Sequence, residues 1–207
     1  MLAGGDLSRR CAAALGSLGA LLSPDRAGDL LALLSKVEGE AERDALREAL
    51  VAVLRGDNDV EGRVAPLIAA YPSVPKPAKI TLLSALSRLG GGRAFDFVDK
   101  ERSAADAELS DAAVRALADW PEERALETLL SIARTSSQRT QQVLALRGYI
   151  RLLNQSEEPA ASLLPRYRAA LEAAGRDEER ARGAAGGRAS EPAALEPGQA
   201  PSFAHAE

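Results

Sequence analysis

The chain repeats itself. A shift of 31 residues lays "ALSRLGGGRAFDFV" (residues 85–98) on "ALADWPEERALETL" (residues 116–129), so that Leu86 falls on Leu117, Leu89 on Trp120 and Gly90 on Pro121. A shift of 32 carries Leu117 to Tyr149 and Trp120 to Leu152, which makes "GYIRLL" a third copy of the same segment. "ALGSLG" (residues 14–19) is a fourth and "ALVAVLRG" (residues 49–56) a looser fifth. A period near 30 residues constrains the fold more than any other feature. Each period is one supersecondary unit too small to bury its own apolar stripe, so neighbouring units must stack to make a core.

The residue types decide what the unit is made of. Hydrophobic residues make up 46% of the chain and aromatics only 3%, so the apolar mass is Ala, Leu and Val. Leu and Ala are strong helix formers, and the β-branched and aromatic runs that strands need are scarce. The expected fold class is all-α. Apolar spacing predicts ten helices, at residues 6–22, 27–37, 40–54, 64–71, 79–89, 93–100, 109–120, 122–133, 138–153 and 160–173. Leu46, Leu50, Val53 and Leu54 form the stripe of the third; the second carries Leu30, Leu31, Leu33 and Leu34. Leu126, Leu129, Leu130 and Ala133 face inward in the eighth. The breaks carry their own chemistry. Pro24 suits a first helical turn, "GDND" a turn, "PSVPKP" a stiff connector and "GGG" (residues 90–92) a flexible stop. Each unit then reads as a longer first helix, a tight break and a shorter second helix. Five such pairs fill residues 1–174. From residue 175 to 207 the only large apolar side chains are Leu195 and Phe203. Such a segment cannot offset its ordering entropy, and a disordered tail is expected there.

Several chemistries are excluded by supply. The net charge of −4 lacks the basic footprint of a general nucleic-acid binder. Cys11 and His205 are the only residues of their kinds, which rules out an internal disulfide, a His/Cys zinc site and a Ser-His-Asp or Cys-His set. No phosphate loop is present, since "GGGR" lacks the lysine and hydroxyl that should follow. No cofactor is expected, and the chain reads as a non-enzyme. No apolar run reaches the roughly 18 residues of a membrane span. "SRRCAAALGSLGALLS" has the outline of a secretory signal, but Asp6 sits in its basic region, Gly16 and Gly19 dilute it and no A-x-A site follows. An amphipathic first helix is the better reading.

Trp120, the lone tryptophan, aligns with Leu89 and Leu152, and a recurring large apolar position is what a core produces. It is therefore read as packing at a helix–helix corner. Asp119 is expected to cap the following helix, with Pro121 in its first turn and Glu122 and Glu123 near its positive end. Six arginines (134, 139, 147, 151, 166 and 168) face only Glu157 and Glu158, and Arg147 and Arg151 share a helix face. They form either an anion-binding groove or solvated helix faces; the second is favoured. The acid pairs Asp96/Asp99 and Asp106/Asp111 fall near helix ends, where carboxylates suit the helix dipole.

The helix pairs, and above all "DAAVRALADWP" and "VLALRGYIRLL", resemble the HEAT-repeat family over residues 6–173. The resemblance implies an α-solenoid of about five antiparallel helix pairs, of the bacterial, armadillo-like kind found in large, often exported, multidomain proteins. It implies a scaffold and brings no catalytic residue with it. Residues 180–207 stand where related modules continue with a leucine-rich helix, so a truncated or frame-shifted repeat is expected there. The expected function is protein–protein interaction through the second helices, with Thr128, Ser131, Arg134, Arg147 and Arg151 as contact positions and no named partner. The alternative is a nucleic-acid- or anion-binding module that uses the arginines.

Overall fold

The computed structural model of the chain describes residues 26–56 and 58–186, with side chains through residue 175. The helix expected at residues 6–22, and residues 187–207 of the expected tail, lie outside the described residues. Those described form nine α-helices and no strand. In chain order they are α1 (Ala27–Leu34), α2 (Glu40–Arg55), α3 (Val60–Ala70), α4 (Lys76–Leu89), α5 (Gly92–Glu101), α6 (Ala107–Ala118), α7 (Ala125–Thr135), α8 (Arg139–Gln155) and α9 (Ala160–Gly186).

Local chemistry moves several ends from their expected places. The carboxylate of Asp59 accepts a hydrogen bond from the Glu61 backbone N–H at 3.2 Å, so α3 begins at Val60 rather than at residue 64. "PSVPKP" is only partly a connector. Tyr71–Ser73 form a 3-10 turn, and the next helix starts at Lys76 with Pro77 in its first turn, where no N–H is needed. Gly90 and Gly91 hold φ of 72° and 93°, a region closed to ordinary side chains, and turn the chain between α4 and α5. Asp106 caps α6 as a helix-end carboxylate should, accepting from Glu108 N at 3.0 Å and Leu109 N at 3.3 Å. The last helix runs on to Gly186, so the boundary expected at 174/175 falls inside it.

The helices alternate between two rows. In the first, α2, α4, α6 and α8 stack each on the next. In the second, α1 stacks on α3, α3 on α5, and α7 on α9, with no comparable packing between α5 and α7. Consecutive helices cross from row to row, and α7 packs far more extensively on α8 than on α6. The apolar core runs between the rows, and two aligned apolar series of the sequence repeat enter it. Leu86, Leu117 and Tyr149 are buried, as are Leu89, Trp120 and Leu152. Leu33 is 40% exposed, and Leu130 is only half-buried, against the inward place expected for it.

Polar bonds between helices obey the same period. Tyr71 Oη donates to Glu101, Lys76 Nζ to Asp106 and Gln141 Nε2 to Asp111, each pair 30 residues apart. Arg55 Nη2 donates to the Arg88 carbonyl, 33 residues on. Other bonds between helices depart from the period, among them Arg63 to the Leu89 carbonyl, Arg88 to Glu48 and Tyr167 Oη to Asn154.

Candidate functional site

The Trp120 corner is built from four elements. Helix α6 ends at Ala118, and Asp119, exposed at φ −92° and ψ 3°, is its C-terminal cap. Asp119 donates its backbone N–H to the Arg115 carbonyl at 3.1 Å and does not cap α7. Pro121 is exposed and stands four residues before the start of α7, outside its first turn. Residues 122–124 form a tight turn instead, in which Ala125 N reaches the Glu122 carbonyl and Leu126 N the Glu123 carbonyl. The same segment is tied one period away: Glu122 Oε1 accepts from the Gly91 backbone N–H at 2.9 Å.

Trp120 itself is fully buried, with its ring edge-on to Phe95 at 5.3 Å between centroids and 79° between planes. Its indole Nε1 has no hydrogen-bond acceptor. That orphaned donor is a cost, which the large buried ring area outweighs. From the other side, Arg151 of α8 closes the corner. Its Nη2 donates to the Trp120 carbonyl at 2.6 Å and the Ala118 carbonyl at 3.0 Å, oxygens that the end of α6 would otherwise leave unpaired. Gly148 lets the helices meet. A Cβ there would stand 2.6 Å from the Ala118 carbonyl oxygen and 2.8 Å from its Cα.

The residues expected to contact a partner are thus dispersed in role. Ser131 and Arg147 are exposed and Thr128 is half-buried. Arg134 lies 3.9 Å from Glu172, and Arg166 pairs with Glu158 at 2.9 Å. With Arg151 turned onto backbone carbonyls and Arg139 also holding an interaction, at least four of the six arginines are engaged within the fold. They do not converge on one anion-binding groove. Glu61 and Gly148 were not singled out in the sequence, and Glu122 was read only as a helix-end carboxylate. The signal was there, because Glu61 stands 31 residues before Gly92 and Glu122 stands 31 after Gly91. Glu61 accepts from Gly92 N at 2.8 Å and Arg93 N at 2.9 Å, and these two bonds, Arg93 first, hold its carboxyl below the usual range. The glycine turn is fastened from both sides.

Among the described residues, two clefts bear on partner binding. One, of about 390 Å³, crosses the first row over α2, α4 and α6, between Glu40, Arg43, Ile80, Thr81, Asp111 and Arg115. It is lined by first helices of the expected pairs, not the second ones. The other, of about 480 Å³, lies between α7, α8 and α9. Leu126, Leu130 and Tyr149 line it, with Glu123, Glu127, Arg124 and Arg166. Burial raises the Tyr149 hydroxyl above its ordinary pKa, and Arg166 and Arg134 offset part of the rise. Among the described residues no cluster of His, Cys, Asp and Glu could hold a metal, and no helix is long and apolar enough to cross a membrane. No family model, no curated protein and no solved structure matches the chain.

Proposed function

We propose that the chain is a non-catalytic protein-interaction scaffold, an α-solenoid of HEAT-like helix pairs that forms part of a larger, exported multidomain protein. The observation that carries this reading is the recurrence of inter-helix bonds at 30 to 33 residues, from Tyr71–Glu101 to Arg151–Ala118. Buried apolar positions recur at the same spacing. A stack built in this way joins each unit to the next and presents long helix-lined surfaces to partners. The mixed charge of the groove over α2, α4 and α6 suits a protein surface better than a phosphate backbone, which would call for unopposed cations.

A photo-crosslinking residue placed at Thr81 or Arg115 tests the proposal in cells of the source organism. A discrete crosslinked protein from the groove, absent when the probe sits at Arg93 on α5, is the expected result. No crosslinked protein from the groove or from the α7–α9 cleft counts against the scaffold. A gel shift with DNA or RNA that weakens steeply with salt would favour the nucleic-acid reading instead.

A further inference from the structure

We propose that the cleft between α7, α8 and α9 receives a cationic side chain, an arginine or lysine carried by a partner polypeptide. This rests on the scaffold reading and gives its partner a chemistry. The floor of the cleft is apolar, with Leu126 and Tyr149 buried and Leu130 half-buried. Above it stand Glu123, in the turn that leads into α7, and Glu127, in the first turn of α7, both exposed. Among the described residues neither has an ion-pair partner. The two arginines in the wall are already neutralised: Arg124 pairs with Glu122 at 2.6 Å, and Arg166 with Glu158 at 2.9 Å.

What remains for a visitor is two unpaired carboxylates over an apolar surface. A side chain with a methylene stem and a charged head matches both parts at once, the stem on the leucines and the head between the acids. Arginine fits better than lysine, because its planar fork can bind carboxylates with paired hydrogen bonds. An acidic side chain would face like charge. A neutral one would keep the apolar contact and lose the ionic one.

The test uses the full chain, isotope-labelled, and three probe peptides that differ only at the centre: Ac-ALRLA-NH2, Ac-ALQLA-NH2 and Ac-ALELA-NH2. The arginine peptide is expected to shift backbone resonances on α7, α8 and α9, with an affinity that falls in high salt. In the variant Glu123→Gln/Glu127→Gln that affinity should drop about threefold to tenfold, the scale of two exposed ion pairs. Both positions are exposed, so the variant should melt with the wild type. Equal binding of the glutamine or glutamate peptide overturns the proposal. So does full binding of the arginine peptide by the variant, or a response confined to the groove over α2, α4 and α6. A partner crosslinked from Thr81 together with a silent α7–α9 cleft removes this assignment and leaves the scaffold standing; silence of both removes the two together.

Discussion

In the first row α2, α4, α6 and α8 stack without interruption, while in the second α5 and α7 have no comparable packing. The rows hold together by different means. In the first, Gly148 of α8 lets its backbone come close to Ala118 of α6. Across the break in the second, side chains from the intervening loop do the bridging: Trp120 reaches Phe95, and Glu122 reaches the Gly91 backbone. A stacked architecture can thus lose a helix–helix interface in one row, provided the other row is tight and the gap is filled. The α7–α9 cleft lies on the far side of this break, where α7 has moved onto α8.

Removing the bridge should have the largest effect. Trp120→Ala is expected to cost about 3–5 kcal/mol in chemical denaturation, the range for deleting a fully buried large aromatic. A wild-type midpoint would show that the second row does not need the ring. Gly148→Ala strikes the first row and should cost about 1–3 kcal/mol through overpacking. Its control is Gly28→Ala in α1, where an added Cβ meets nothing within 4 Å. That change should stabilise by about 0.4–1 kcal/mol. If the two substitutions behave alike, close approach is not what joins α6 to α8. Arg151→Ala strips two carbonyls of their donor and should cost about 1–2 kcal/mol, with only partial recovery in Arg151→Lys, which lacks the fork.

The smallest effect belongs to the glycine turn. Because its bonds to Arg93 N and Gly92 N lower the Glu61 pKa in the fold, its stabilisation is present above the ordinary carboxylate range and lost as pH falls through the lowered value. The gap between wild type and Glu61→Gln, followed by denaturation from neutral pH downward, should close in acid. A gap that widened in acid would mean that Glu61 does not hold the turn as an anion.

Much of the fold was legible before any coordinates. The all-α class, the near-30-residue period and the burial of the series through Leu89, Trp120 and Leu152 follow from apolar spacing alone. Helix ends were less legible. Asp119 had the residue type and position of an N-terminal cap, yet it closes α6. The arginines looked like one cationic set, yet Arg151 spends its guanidinium on backbone oxygens.

By itself, the sequence determined what depends on neighbours a few residues apart: which segments are helical, where proline and glycine interrupt them, and which face of each is apolar. Only the tertiary structure decided what depends on a partner one period away. From the turn at residues 122–124 Glu122 bonds the Gly91 backbone, and α6 can meet α8 because position 148 lacks a Cβ. Helix propensity and stripe are summed locally along the chain. A helix end has unpaired carbonyls and amides that any suitable side chain can satisfy, and stacking alone selects which one arrives.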